Sequence, residues 1–134
     1  MTIFLTGATG YIATHTWLAL QAAGFKVVGV DNFSNSSPKV LQRLQRISGQ
    51  TPVFEKADVC DAAAMHGIFQ RHRIDAAIHF AAFKAVGEST QKPLEYFRNN
   101  LGGLVNVCQT MQRHNVKRFV FSSSATVYGD PASL

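Results

Sequence analysis

The stretch Thr6-Gly7-Ala8-Thr9-Gly10-Tyr11-Ile12-Ala13 constrains this chain more than any other. A short apolar run, Ile3-Phe4-Leu5, stands before it and reads as a buried strand. Trp17-Leu18-Ala19-Leu20 follows and reads as an amphipathic helix stopped at Gly24. Strand, glycine turn and helix form the setting of a phosphate-binding loop. Gly7 permits the tight turn, Gly10 has no Cβ to hold a pyrophosphate off the backbone, and Ala13 lets the helix lie close to the strand. The first-turn N–H groups of that helix then face the anion. The spacing is G-x-x-G-x-x-A, and the same turn also occurs where nothing binds.

A second signal comes 21 residues after Gly10, where the apolar strand Lys26-Val27-Val28-Gly29-Val30 ends in Asp31. A carboxylate about 20 residues beyond the glycines accepts the ribose hydroxyls of an adenosine and repels a 2′-phosphate, which favours NAD over NADP. Asp31 also fits as a turn residue capping Asn32. With the glycine turn ahead of it, cofactor binding is the stronger reading.

The rest of the chain repeats the alternation. Pro38 opens a helix with Val40, Leu41, Leu44 and Ile47 as its buried stripe, ended by Gly49. Pro52 to Val59 reads as a third strand, and Asp61 caps a helix through Met65, Ile68 and Phe69. Ala76 to Phe80 is a central strand that places His79 in the core. Ala81 to Lys92 is expected to be a loop, and Pro93 opens a long helix. In it Leu94, Phe97, Leu101, Leu104, Val105, Cys108 and Met111 should be buried, and Gly102-Gly103 should admit a close neighbour. Arg118 to Phe121 is a fifth strand leading into Ser122-Ser123-Ser124. Five such alternations predict an α/β fold, a Rossmann-type parallel sheet with right-handed crossovers and helices on both faces. Asp31, Asp58, Lys84 and Ser122–Ser124 would share its carboxyl edge, where ligands bind such sheets.

The 134 residues suit one domain at most, and no apolar run approaches the ~20 residues of a membrane span. No basic region precedes the first apolar run, which argues against a signal peptide. Cys60 and Cys108 read as buried thiols of a reducing, cytoplasmic compartment, with no metal site. The net charge of +5 gathers at Lys39–Arg46, Arg71–Arg73 and Arg113–Arg118 without interleaved aromatics. Solvated helix faces explain that better than nucleic-acid binding.

Thr6-Gly7-x-x-Gly10-Tyr11-Ile12, Asp31-Asn32-x-Ser34-Asn35-Ser36, Lys84-Ala85-Val86-Gly87-Glu88-Ser89 and the run from Ser122 to Gly129 closely resemble the UDP-glucose 4-epimerases. These are extended short-chain dehydrogenase/reductases, and the likeness runs along essentially the whole chain. It implies that Gly7, Gly10, Tyr11 and Ile12 hold the pyrophosphate of NAD. Asp31, Asn32, Phe33, Ser34, Asn35 and Ser36 hold the adenosine ribose, and Asp58 and Val59 flank the adenine. Phe80, Ala81, Ala82, Phe83 and Lys84 would run along the cofactor, joined by Asn99 and Ser122. Ser124 would hydrogen-bond the reacting sugar hydroxyl of a UDP-sugar, with Lys84 nearby. The resemblance also implies a homodimer, formed by the helix from Pro93 and the helix after the fifth strand.

This sequence departs from that pattern. The family's catalytic Tyr-x-x-x-Lys turn does not occur: Tyr11, Tyr96 and Tyr128 are followed four residues on by His15, Asn100 and Ala132. The substrate domain is expected to be absent too, so residues 1–134 should form an incomplete NAD-binding domain without turnover. Ala82-Phe83 stands where the epimerases carry Gly-Leu, and the added bulk is expected to weaken NAD binding. A shortened gene product and a piece of a longer protein would both read this way. The fifth strand's outer edge and part of the long helix should lie bare, making the chain poorly soluble or partly molten without a partner fragment. Two other readings stay open: a non-catalytic NAD-binding module or degenerate paralogue, and another nucleotide-sugar epimerase or dehydratase.

Overall fold

The computed structural model describes residues 1–124 and 129. Among the described residues five parallel strands form one sheet in the order β3-β2-β1-β4-β5. They are β1 (Thr2–Thr6), β2 (Lys26–Asp31), β3 (Val53–Lys56), β4 (Ala76–His79) and β5 (Arg118–Phe121). The helices between them are α1 (Tyr11–Ala22), α2 (Lys39–Ser48), α3 (Ala62–Arg71), α4 (Val86–Gln91) and α5 (Pro93–Arg113).

Strand residues alternate between two cores, as period-2 side chains must. Phe4, Val28, Val30 and Ala77 pack with Met65, Ile68 and Phe69 of α3 and Val107 and Met111 of α5. Leu5 and Val27 pack on the other face with Ala13 and Trp17 of α1 and Leu44 of α2. Helices thus cover both faces of a Rossmann-like sheet. Gly29 sits where β2 passes under α1, and a Cβ there would collide with the Trp17 ring. The register aligns the carboxyl ends, with Thr6 beside Val30 and His79, Asp31 beside Lys56, and His79 beside Phe121. Every turn that follows a strand therefore leaves from one edge.

Local signals act as the sequence predicts at several ends. Gly24 and Gly49 adopt positive φ after α1 and α2, and the Asp61 carboxylate accepts from Ala64 N–H at 3.0 Å to cap α3. Four expectations are corrected. Ala81 to Lys92 is not all loop, because α4 occupies Val86–Gln91. β3 ends at Lys56 rather than Val59, since the Asp58 carboxylate accepts from Cys60 N–H at 2.8 Å and turns the chain. Ile47 is exposed, leaving Leu44 as the fully buried residue of α2. Cys60 and Cys108 are exposed rather than buried.

The largest difference is the orientation of α5. Its buried residues are Gly103, Asn106, Val107, Thr110 and Met111, while Leu94, Phe97, Leu101, Val105 and Cys108 face outward. Two polar residues enter the core because each finds a partner there. Asn106 Nδ2 donates to Val59 O at 2.6 Å, and Thr110 Oγ1 donates to Asn106 O at 2.9 Å. Val120 and Phe121 of β5 are also exposed. Among the described residues no helix is long and apolar enough to cross a membrane.

Candidate functional site

The glycine turn opens at the centre of the carboxyl edge. Gly7 adopts φ +63°, and a Cβ there would stand 2.8 Å from Ala81 N and 2.9 Å from Ala81 Cα. Gly10 N–H donates to Gly7 O at 2.9 Å, closing the turn, and Gly10 becomes the N-cap of α1. Gly10 has no side chain to cap α1, and no acid occupies its first turn. The N–H groups of Tyr11, Ile12 and Ala13 therefore have no intrahelical acceptor and face outward from the turn.

A groove of about 320 Å³ runs along this edge from the tips of β2 and β3, past the glycine turn, to the segment after β4. At its first end the Asp31 carboxylate accepts from Thr9 N–H at 3.1 Å and Phe33 N–H at 2.8 Å, joining the β2 tip to the glycine turn. Asn32 Nδ2 donates to Asp58 Oδ2 at 3.0 Å and ties the β2 and β3 tips together. Burial alone would raise the Asp58 carboxyl, but the hydrogen bonds from Cys60 N–H and Asn32 outweigh it and hold it below its usual value. At the far end Ala81 N–H donates to Thr6 Oγ1 at 3.2 Å. The same hydroxyl shares a 2.8 Å hydrogen bond with His79 Nδ1. Burial, with the Lys84 charge added, pushes this imidazole down to about 4. It is a neutral core histidine at neutral pH.

These features meet the demands of a dinucleotide. A glycine turn is crowded by the opposite wall, an uncapped helix start lies behind it, and a carboxylate stands at the next strand tip. Among the described residues no group of three or more His, Cys, Asp or Glu could hold a metal ion. A model of the NAD dependent epimerase/dehydratase family matches residues 3–134. The chain belongs to that family. It is 48% identical to mouse UDP-glucose 4-epimerase over 138 residues, spanning 98% of this chain and 40% of the mouse enzyme. It is 50% identical to the Haemophilus influenzae UDP-glucose 4-epimerase over 131 residues, spanning 98% of this chain and 39% of that one. Its fold superposes with a TM-score of 0.95 on the UDP-glucose 4-epimerase of Bifidobacterium longum in complex with NAD+ and UDP, at 48% identity. That match takes in 100% of this chain and 40% of the other. The chain spans about 40% of the length of these two relatives.

Within this epimerase-family fold, most of the residues singled out in the sequence line the groove. Gly7, Gly10, Tyr11, Ile12, Asp31, Asn32, Ser34, Asn35, Asp58, Val59, Phe80 to Lys84 and Asn99 all do. Four do not. Phe33 takes φ 60° and packs its ring 5.1 Å from that of Phe54. Ser36 Oγ bonds Thr9 Oγ1 at 2.7 Å, bracing the turn from behind. Ser122 N–H donates to His79 O at 3.1 Å and prolongs the β5 ladder, and Ser124 lies on the surface beyond it. Of the family-like run from Ser122 to Gly129, Ala125 to Tyr128 lie outside the described residues. Ala13, Val30 and Ala57 line the groove without having been chosen as site residues. Val30 and Ala57 each directly precede a chosen acid, and that adjacency was the available signal.

Proposed function

We propose that this chain is the NAD-binding portion of a UDP-glucose 4-epimerase. The observation that carries the reading is the Asp31 carboxylate anchored to Thr9 N–H beside an uncapped α1. In this reading the backbone of Tyr11, Ile12 and Ala13 binds the pyrophosphate. Asp31 accepts the adenosine ribose hydroxyls, while Asn32 and Asp58 hold that end of the groove in place. Phe80 to Lys84 form the opposite wall and shield it from water. NAD, when bound, would supply transient hydride acceptance from the sugar in interconverting UDP-glucose and UDP-galactose. Ser124 would hold the sugar hydroxyl, and Lys84 would place a positive charge near the cofactor and substrate.

The Tyr-x-x-x-Lys pair that the family resemblance implies for proton transfer does not occur in these 134 residues. A second reading is that this segment binds NAD without itself catalysing anything. Calorimetric titration with NAD and NADP, with an assay on UDP-galactose, tests both. The expected result is NAD binding, weaker NADP binding and no epimerisation. No binding of NAD overturns both readings. Turnover by this polypeptide alone would overturn the assignment of the proton-transfer step to residues it lacks.

A further inference from the structure

Phe80 to Lys84 form one wall of the groove but belong to no helix or strand. Such a segment keeps its shape only if its peptide groups find fixed partners. At the β4 end Phe80 N–H donates to Thr6 O at 3.3 Å and Ala81 N–H to Thr6 Oγ1 at 3.2 Å. At the far end a single side chain holds both polar groups of one residue. Phe83 N–H donates to Asn100 Oδ1 at 2.8 Å, and Asn100 Nδ2 donates to Phe83 O at 3.1 Å. Asn99 Nδ2 also donates to Asn100 Oδ1 at 3.0 Å, which fixes the orientation of the carboxamide. A carboxamide carries the acceptor and donor that a neighbouring strand would offer, so Asn100 replaces a missing strand at this point.

We propose that Asn100 is a positioning residue that sets the affinity of the groove for the half of a dinucleotide lying beyond the pyrophosphate. This rests on the NAD reading above. Asp31, Asn32 and Asp58 occupy one end of the groove, the glycine turn its middle, and Phe80 to Lys84 the other end. A ribose on Asp31 and a pyrophosphate on α1 leave the second nucleoside facing the wall that Asn100 holds. That wall has no slack where it passes the turn, since Ala81 already sits within 3 Å of a Cβ position on Gly7. Without Asn100, the Phe83 peptide loses both of these hydrogen bonds, and the packing of its ring 5.4 Å from that of Tyr96 is left to hold a backbone that can then shift toward the groove.

The test is calorimetric titration of the 134-residue chain with NAD and with AMP, which lacks the second half. Asn100→Leu removes both hydrogen bonds, and Asn100→Asp keeps only the acceptor for Phe83 N–H. The expected result is about tenfold weaker NAD binding for Asn100→Leu, a smaller loss for Asn100→Asp, and AMP affinity within about twofold for both. NAD binding equal to that of the unaltered chain overturns the proposal alone. Equal losses for NAD and AMP, or loss of the far-UV circular dichroism spectrum in both variants, assign Asn100 to the fold and overturn it too. Failure of the unaltered chain to bind NAD overturns the NAD reading on which the proposal stands.

Discussion

A Cβ on Gly103 would lie 2.7 Å from Val59 Cγ2, whereas one on Gly102 would meet nothing within 4 Å. The two glycines are neighbours in α5 and face opposite surroundings. On the side of Gly103 the helix presses against Val59, whose carbonyl also receives the Asn106 amide. Gly103→Ala is expected to lower stability by about 1–3 kcal/mol through overpacking. Gly102→Ala is expected to raise it by up to about 1 kcal/mol by removing a helix glycine. Urea unfolding of the two variants measures this, and shifts of the same sign would contradict it.

Gly7 meets a harder obstacle, because its neighbours are backbone atoms of Ala81 and its φ is +63°. Backbone cannot rotate away as a side chain can, and the left-handed conformation adds its own cost. Gly7→Ala is therefore expected to destabilise the chain by at least about 2 kcal/mol and to displace the wall at Ala81. An unfolding midpoint equal to that of the unaltered chain would show that the turn can relax.

These glycines show how far the sequence could be read. Gly7 and Gly10 between an apolar strand and a helix, then Asp31 at the next strand tip, specify the groove because each feature is local and has few alternatives. β1, β2, β4 and β5 were legible for the same reason, each holding an apolar run with a stop, whereas β3 carries Glu55 and Lys56 and ends short of Val59. What failed was the outward face of α5. A three-and-four periodicity says which residues share a face, and it cannot say what covers that face. Leu94 to Cys108 form such a face, yet the core side took Asn106 and Thr110, whose partners lie far off in sequence or inside the helix itself. Asn100 was unreadable for a related reason: its hydrogen bonds go to the peptide of Phe83, which leaves no mark in side-chain pattern.

His79 makes stability depend on pH. Its folded-state pKa of about 4 lies below the ordinary 6.5, so the unfolded chain takes up the proton first. Its contribution is complete above about 6.5 and is lost as pH falls toward about 4, amounting to about 3 kcal/mol. His114, held below its usual value by desolvation and by neighbouring His66, adds to the slope in the same direction. Glu55 is held down by the Arg71 hydrogen bond against some desolvation, with His72 assisting. It acts at lower pH, as does Asp58. Urea unfolding from pH 7 to 5 should show a steep fall for the unaltered chain and a shallower one for His79→Gln. Parallel slopes would mean that the ring is not buried as described.

The outward face of α5 should govern how the chain behaves at concentration. Phe97 is 62% exposed and Leu101 54%, with Leu94 and Val105 on the same stripe and Val120 and Phe121 exposed on β5. Exposed apolar surface of this kind promotes association, and it contributes nothing to the stability of the isolated chain. The double variant Phe97→Glu/Leu101→Lys is expected to suppress light scattering and binding of a hydrophobic dye. Its unfolding free energy should stay within about 0.5 kcal/mol, because neither side chain leaves a packed site. Unchanged scattering would place the sticky surface elsewhere. A large loss of stability would mean that these residues are covered when the chain is free in solution.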